Sequence, residues 1–515
     1  MQVLGKKIEL FTKKVWITLL LLCLTGFFLR ILYFPYEIPI ILDGLSYFLF
    51  AYDVSTRGVL PTEYYVENDG WPIFLGFFFK FFYSENFLDY ITYQRIITII
   101  LSTITTIPIF FLCRRFVEQK YALIGAAIFV FEPRLIQNSL TGITEPLYLL
   151  LISSSLALFF NSNKKLIFMS FGFIALATLV RGEGLFLFVG LSIVYFIRFR
   201  HEKKMLAKYM LAILIFVLVL LPSVSYRFDN YGHDGILNKI TRAPDEISIS
   251  TNNVSSDWIT FGVEGIVNMI KFLGWDLIPI FIFFVPIGVI LTFKRKKFQG
   301  LSVILIITIM LGPAWFSYLN NSDTRFLFVL YPLFCILSVL TIERLLQKRV
   351  KTNMLLGLIL VGIIFASVSF LEIKKVDYEL ERDAFEIAGI ISQNAGGINS
   401  STEISKYIKT AEINIEWPNV PKIHRDGSIP SETKRISDEH YNTIEEFIFH
   451  SKTEGLTHLV IDENMENIML KDIFHNSEKY SYLEIEYDSK EQQKKFSVKV
   501  FKINFDKLDA LHINQ

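Results

Sequence analysis

The stretch VWITLLLLCLTGFFLRILY, residues Val15–Tyr33, decides the fold class of this chain. A helix that crosses a bilayer needs ~20 mostly apolar residues, and this stretch supplies them. Lys6, Lys7, Lys13 and Lys14 precede it, and no small-residue cleavage site follows it. The pattern therefore predicts a retained first membrane span and not a cleaved signal peptide.

The composition of the whole chain agrees with a membrane protein. Of 515 residues, 52% are hydrophobic and 15% aromatic, and the mean hydropathy is +0.42. Such a chain is too apolar for a soluble enzyme. Cys23, Cys113 and Cys335 all lie in apolar segments, which excludes a disulfide framework or a cysteine metal site. The net charge is only +1, and we expect no nucleic-acid partner.

The hydropathy pattern predicts about eleven transmembrane helices. The candidates are Val15–Tyr33, Ile91–Cys113, Tyr121–Gln137, Pro146–Phe160, Leu166–Val180, Leu185–Ile197, Met205–Tyr226, Leu277–Phe293, Leu301–Tyr318, Phe326–Ile342 and Asn353–Leu371. Two places depart from a simple series of spans. Trp71–Tyr83 is apolar but short, which predicts an interfacial or re-entrant helix. Arg181–Gly184 interrupts an apolar stretch, which predicts two short helices that meet at an external turn.

Charge predicts the orientation of these spans. With about eleven spans, the basic loops all fall on one side, which the positive-inside rule makes cytoplasmic. These loops are the N-terminus, Arg114–Lys120, Lys164–Lys165, Arg198–Lys208, Lys294–Lys297 and Arg344–Lys351. The first loop, between Tyr33 and Trp71, is then external.

The sequence becomes polar from Glu372 onward. Leu456–Asp462, Tyr480–Glu486 and Phe496–Asn504 have strand patterns, and Tyr441–Ser451 has a helical one. We predict a transmembrane domain over residues 1–371 and a small external α/β domain over residues 372–515.

Asp43 is the first candidate for chemistry, because it lies in an acidic external loop just past the first span. That loop carries Glu37, Asp43, Asp53, Glu63, Glu67 and Asp69 against Arg57 alone. A carboxylate at a membrane surface can act as a general base that accepts the proton of an attacking hydroxyl. The alternative is a turn or helix-cap residue, since Asp-Gly is a turn dipeptide.

Glu145 is the second candidate, in the predicted external turn Thr141–Tyr148. It can orient an acceptor, bind a divalent metal or tune Asp43, and the alternative is a cap ahead of Pro146.

Arg134, Arg181 and Arg325 lie at external span ends, at the depth of a lipid phosphate. Their alternative role is pairing with nearby carboxylates: Glu132, Glu183 and Asp323, respectively. Tyr47 and Trp71 are candidates to stack on a sugar, or else interfacial anchors.

Several of these segments together resemble the C-type glycosyltransferase superfamily, above all protein O-mannosyltransferases and lipid A aminoarabinose transferases. The resemblance covers roughly residues 15–371. Its pieces are Leu42–Tyr47, Gly70–Leu75, Thr144–Tyr148, Leu179–Glu183 and Asp323–Phe328 with Tyr331–Pro332.

The resemblance implies an enzyme that takes a sugar from a polyprenyl- or dolichyl-phosphate carrier and inverts the anomeric centre. The acceptor would be a hydroxyl of a protein, lipid or glycan. It implies that Asp43 is the base. Many members of the superfamily have a second acidic residue there, whereas this chain has Gly44, so the divalent metal stays an open expectation. Gly70-Trp71-Pro72 replaces the Lys-Pro-Pro of aminoarabinose transferases, so no phosphate-binding lysine is implied.

Other functions fit a polytopic chain. A transporter or lipid flippase would show inverted halves and polar groups on broken helices, and only Arg181–Gly184 is of that kind. A relative of oligosaccharyltransferases or of lipid-linked oligosaccharide ligases would share the fold and differ in the size of the donor. A membrane scaffold whose tail binds partners would need no catalytic residue.

Overall fold

The computed structural model describes residues 13–236, 258–319, 321–347, 349–438, 441, 443–465 and 467–513. Lys6, Lys7 and Lys348, which entered the charge argument, lie outside these residues. The described part is mostly helical and divides into two compact units. The first contains the residues up to Phe34, Glu67–Leu75 and Gln94–Lys375, and the second contains Pro35–Val66, Gly76–Tyr93 and the residues from Val376 onward.

The second unit is larger than the tail domain that we predicted. The predicted boundary after residue 371 lies close to the change of unit at Lys375 and Val376. The second unit, however, also includes Pro35–Val66 and Gly76–Tyr93, which belong to the first loop and the segment behind it. The predicted tail domain therefore shares a compact unit with the chain around Asp43.

The helices begin and end as follows. Helices with residues in the first unit are Lys13–Leu32, Gly70–Phe79, Phe87–Ile104, Thr106–Cys113, Gln119–Val130, Pro133–Ser139, Glu145–Phe159, Lys164–Val180, Gly184–Phe199, Met205–Tyr231, Trp258–Leu277, Val285–Arg295, Phe298–Ser317, Tyr331–Leu346 and Thr352–Ile373, with 3-10 turns at Phe281–Phe283 and Thr324–Leu330. Those of the second unit are Asp43–Arg57, Tyr378–Asn394, Ile408–Glu416, Ile444–Lys452, Ile468–His475 and Phe505–Ile513, with 3-10 turns at Glu403–Lys406 and Ser477–Lys479.

Among the described residues, six helices are long and apolar enough to cross a membrane. A seventh is added if Gly262–Leu277 and Phe281–Arg295, bent by 101°, count as one span. Shorter apolar helices are Gly70–Phe79, Gln119–Val130, Glu145–Phe159 and Gly184–Phe199. The predicted total of about eleven spans, and their orientation, stay predictions.

Four predicted spans are not continuous helices. The stretch Ile91–Cys113 is interrupted at Thr105, between the helices Phe87–Ile104 and Thr106–Cys113. The stretch Tyr121–Gln137 breaks between Val130 and Pro133, because proline has no N–H to continue the hydrogen-bond ladder. The stretch Leu277–Phe293 begins at the bend before Phe281, and Phe326–Ile342 starts as a 3-10 turn. Averaged hydropathy does not show such breaks, because the apolar runs around them outweigh the few proline and charged residues near them.

The predicted break at Arg181–Gly184 is confirmed. One helix ends at Val180 and the next starts at Gly184. Arg181 has the extended backbone angles φ −149° and ψ 127°, and its N–H still donates to the carbonyl of Ala177. The short helix predicted after Trp71 is also present, as Gly70–Phe79.

The second unit contains a five-stranded mixed sheet with the order β2-β1-β3-β5-β4. The strands are β1 Gly397–Asn399, β2 Lys434–Ile436, β3 His458–Asp462, β4 Leu483–Asp488 and β5 Val498–Ile503. The pairs β1–β2 and β1–β3 are parallel, and β3–β5 and β4–β5 are antiparallel. The three predicted strands and the predicted helix, Ile444–Lys452, are confirmed, whereas the three-residue strands β1 and β2 had no sequence signal.

Apolar side chains cover both faces of this sheet. Val460 of β3 packs in one core with Ile38, Ala384 and Ile387, whereas Leu459 and Ile461 pack in the other. The alternation follows from the two-residue period of a strand. Ile38 belongs to the first loop, so this loop contributes to the core of the sheet domain.

Candidate active site

A small pocket in the first unit brings three predicted site segments together. It has about 260 Å³ of empty space, part of which is open to solvent. Its lining residues are Glu145, Tyr148, Leu149, Arg181, Glu183, Arg325, Phe326, Phe328 and Val329. Three predicted site residues, Glu145, Arg181 and Arg325, are thus neighbours, although they are far apart in sequence.

Glu145 is the first residue of the helix Glu145–Phe159, where an acidic side chain interacts favourably with the helix dipole. Its side chain is only 2% exposed and forms an ion pair with Arg181. The hydroxyl of Thr144 donates to its second oxygen at 3.3 Å. The N-cap residue of this helix is Thr144, and Thr144 forms no side-chain capping hydrogen bond.

Arg181 lies at the helix break and is held by two carboxylates. Besides Glu145, it binds both oxygens of Glu183, at 2.8 Å from Nη2 and 3.4 Å from Nε. Its Nη1 also lies 3.4 Å from the hydroxyl of Thr144. The expected pairing with Glu183 is therefore present, and Arg181 is a fixed part of the pocket wall.

Arg325 lies in the 3-10 turn Thr324–Leu330 and is more exposed than Arg181. Asp323 precedes the turn, and one of its oxygens accepts the backbone N–H of Arg325 at 2.9 Å. The other oxygen accepts Nε at 2.6 Å, and 33% of the Arg325 side chain is exposed. A partly exposed guanidinium can turn toward an incoming anion more readily than that of Arg181, whose side chain is 12% exposed.

Tyr148 is a pocket residue that the sequence analysis quoted in a motif but gave no role. It lies one helical turn after Glu145 and is 3% exposed. Its hydroxyl is buried and has no hydrogen-bond partner among the described residues. Buried hydroxyls normally have one. The hydroxyl is therefore a built-in donor or acceptor for a ligand in the pocket.

Arg134 lies in a different cluster. It donates to the carbonyl of Trp275 at 2.5 Å, lies 3.5 Å from the carboxylate of Asp276 and stacks over the ring of Phe370. Its predicted partner Glu132 is fully buried beside it. The pocket described above does not include Arg134.

The remaining predicted site residues are Asp43, Tyr47 and Trp71, which precede the pocket residues in the sequence. Asp43 is exposed and is the first residue of the helix Asp43–Arg57, so the Asp-Gly pair starts a helix instead of forming a turn. Tyr47 is buried in the same helix, with 7% exposure. Trp71 is fully buried, and its indole N–H donates to the carbonyl of Gly142 at 3.2 Å. In this structure Trp71 packs inside the first unit, without an exposed face for a sugar.

Within the part of the chain that the structure describes, no group of three or more His, Cys, Asp or Glu side chains is arranged to hold a metal ion. Glu145 is instead bound to Arg181. We therefore assign no residue of the pocket as a metal ligand.

The Alg9-like mannosyltransferase family matches the chain over residues 73–376, which is more than half of its length. The chain belongs to the Alg9-like mannosyltransferase family. It is thus an integral-membrane glycosyltransferase of the C-type superfamily, as the sequence motifs indicated. The matched range contains all nine residues that line the pocket. Among curated proteins, none matches the sequence significantly.

Solved structures agree with this family assignment at the level of the fold. The oligosaccharyltransferase from Archaeoglobus fulgidus, tethered to an acceptor peptide, is 13% identical, with a TM-score of 0.57. The match covers 94% of this mannosyltransferase-family chain and 74% of the other. ArnT from Cupriavidus metallidurans, bound to undecaprenyl phosphate, is 10% identical with a TM-score of 0.52, over 96% and 98% of the two chains.

Proposed function

We propose that this chain transfers mannose from a polyprenyl- or dolichyl-phosphate carrier to a hydroxyl of a protein, lipid or glycan, with inversion at the anomeric carbon. The sugar follows from the family to which the chain belongs. The carrier is supported by the ligands of two structural neighbours, dolichol-phosphate in the archaeal enzyme and undecaprenyl phosphate in ArnT. We further propose that the transfer occurs on the external side of the cell membrane.

The observation that carries the proposal is the pocket formed by Arg181, Arg325 and Tyr148. Both arginines of the pocket have carboxylate partners: Arg181 pairs with Glu145 and Glu183, and Arg325 pairs with Asp323. An anionic phosphate needs a guanidinium that can leave its carboxylate. Arg325 meets that condition best, because 33% of its side chain is exposed and its ion-pair partner Asp323 is itself 35% exposed. Guanidinium forks match phosphate oxygens well.

In the proposed reaction, Asp43 accepts the proton of the acceptor hydroxyl as its oxygen attacks the anomeric carbon. The new C–O bond forms while the bond between that carbon and the phosphate oxygen breaks. The electron pair of the broken bond goes to the carrier phosphate, which leaves as an anion that Arg325 stabilises. Attack opposite the leaving group inverts the anomeric centre. Glu145 and Arg181 shape the donor side of the pocket, and Tyr148 contributes its hydroxyl to the donor.

A transfer assay with product analysis tests this function. The purified full chain in nanodiscs would receive dolichyl-phosphate mannose or undecaprenyl-phosphate mannose, with a membrane extract as the source of acceptors. We expect mannose to appear on an acceptor while free carrier phosphate accumulates, both measured by mass spectrometry. A flippase would move the donor lipid between leaflets without breaking the sugar–phosphate bond. Intact donor in every condition, together with leaflet exchange, would overturn the proposal.

The roles of Arg134, Tyr47 and Trp71 in donor or substrate binding stay predictions. Arg134 contacts Asp276 and Trp275, and Tyr47 and Trp71 are buried. These positions offer useful comparisons with the pocket residues, because the same substitutions can be made inside and outside the pocket.

A further inference from the structure

The segment just before Asp43 is attached to the tail of the chain. Ile38 is 6% exposed and packs in the core that Ala384 and Ile387 form in the helix Tyr378–Asn394. Two residues further on, the carbonyl of Ile40 accepts a hydrogen bond at 3.3 Å from the hydroxyl of Thr410, which is fully buried. A buried side chain from the tail therefore fixes the backbone three residues before Asp43.

The segment just after Asp43 is attached to the tail as well. Phe48 and Tyr52 lie one turn apart on the helix Asp43–Arg57, and both rings contact the indole of Trp417. The ring centroids are 5.9 Å and 4.7 Å apart, respectively, which is the range of favourable aromatic pairs. Trp417 also contacts the rings of Phe87 and Tyr90, at 5.6 Å and 5.4 Å.

A third contact joins the end of the same loop to the tail. The N–H of Tyr65 donates to the carbonyl of Arg425 at 3.4 Å. Gly427 has φ +81°, and a Cβ atom there would lie 2.4 Å from the carbonyl oxygen of Tyr65. Only glycine fits this approach of two backbones.

The backbone at Leu42 shows why such attachment matters. Leu42 has φ 51° and ψ −129°, a region that costs a residue with a side chain about 1–3 kcal/mol. Its own side chain is 72% exposed, so it contributes little packing that would hold this conformation. The contacts on both sides, through Ile40 and Phe48, hold it instead. The strained residue directly precedes Asp43.

We infer that the tail is a positioning element for Asp43, with Thr410 and Trp417 as its principal positioning residues. This inference rests on the proposed function of Asp43 as the base. A shift of about 1 Å at a catalytic group can cost a hundredfold in rate. Loosening either attachment therefore lowers the rate of transfer without removing any group that contacts the donor phosphate.

The test uses Thr410→Val, which removes the hydroxyl and keeps the volume, and Trp417→Ala. Phe449→Ala, an exposed aromatic residue on the tail helix Ile444–Lys452, is the matched control. We expect kcat to fall about tenfold or more in the first two variants, with unchanged affinity for the donor. Trp417→Phe retains an aromatic contact and should restore most of kcat. Phe449→Ala should behave like the wild type.

Hydrogen–deuterium exchange separates this inference from the assignment of Asp43. In Thr410→Val and Trp417→Ala, the amides of residues 43–57 should exchange faster than in the wild type, while those of helix Glu145–Phe159 stay unchanged. Faster amide exchange together with full transfer activity would contradict the role of Asp43 as the base. It would still support the attachment of this helix to the tail. Unchanged exchange and unchanged kcat would overturn the inference, and so would an equal loss of kcat and donor affinity.

Discussion

The guanidinium of Arg181 forms a buried ion pair with the carboxylate of Glu145, thirty-six residues earlier in the chain. The pair joins the break between two apolar helices to the first turn of another helix. Its side chains are 12% and 2% exposed, so neither charge is well solvated. The pair therefore fixes the wall of the pocket, and its two members depend on each other.

Removing one member of this pair should destabilise the protein more than removing both. Glu145→Ala leaves Arg181 with Glu183 alone, and Arg181→Ala leaves a buried carboxylate without its cation. Each single change should cost about 3–5 kcal/mol, the usual result when one partner of a buried pair is lost. The double variant Glu145→Gln, Arg181→Met should recover part of that loss. Thermal unfolding in detergent measures the difference, and additive losses would contradict a coupled pair.

Tyr148→Phe tests the buried hydroxyl in the pocket. The hydroxyl has no partner among the described residues, so its removal should leave stability unchanged or slightly higher. If it contacts the donor, KM for the donor lipid should rise several-fold. Tyr331→Phe is the matched control, because that tyrosine is also fully buried but lies outside the pocket. Equal effects of both variants on donor KM would remove Tyr148 from the donor site.

Arg325→Lys keeps the positive charge and loses the planar fork. Donor use should weaken while affinity for the acceptor stays nearly unchanged, because a lysine cannot bind two phosphate oxygens in the same plane. Arg134→Lys makes the same change outside the pocket, and a smaller rise in donor KM there than in Arg325→Lys would favour the pocket as the phosphate site. Steady-state kinetics with varied donor and acceptor measure both effects. A rise confined to the acceptor KM would refute the assignment of Arg325.

His458 makes the stability of the second unit depend on pH. It is 3% exposed in β3, its Nε2 lies 2.9 Å from Glu486, and Lys502 is nearby. Burial lowers the pKa of His458 below its usual 6.5, against the opposing effect of Glu486. The unfolded chain then binds a proton more readily than the folded one. The free energy of unfolding should therefore show no loss from His458 above pH 6.5, and it should fall as the pH drops toward the lowered pKa of His458.

Limited proteolysis of the full chain at pH 7.5 and pH 5.5 checks this expectation. The tail of the wild type should be cleaved faster at the lower pH. His458→Gln should show a smaller difference between the two conditions, and His450→Gln, at an exposed position, should not. A wild-type tail that resists protease equally at both values would contradict the argument.

Much of the fold followed from local sequence patterns. The apolar runs located most helices of the first unit, and Arg181–Gly184 marked a true break because it placed polar and glycine residues inside such a run. The strand pattern of Leu456–Asp462 located β3, and the alternating residues of the two later segments located β4 and β5. The strands β1 and β2 are only three residues long, so their period could not be detected. The break before Pro133 was missed because the apolar runs on either side outweigh Glu132, Pro133 and Arg134 in a hydropathy average.

The site was predictable only in part. Sequence motifs and the predicted depth in the membrane selected Glu145, Arg181 and Arg325. The structure places these three residues around one pocket. Depth in the membrane also selected Arg134, which contacts Asp276 and is not part of this pocket, so its role stays a prediction. The attachment of the first loop to the tail had no sequence signal. It joins residues such as Ile40 and Thr410, which are 370 positions apart.

Asp43→Asn tests the central claim most directly. The variant removes the proposed base with the smallest change of shape, so it should bind the donor lipid as the wild type does. Its rate of mannose transfer should fall roughly a hundredfold or more, the scale expected for the loss of a general base. Asp53→Asn, in the same helix, is the control and should retain transfer. Transfer by Asp43→Asn at a rate close to that of the wild type would contradict the account.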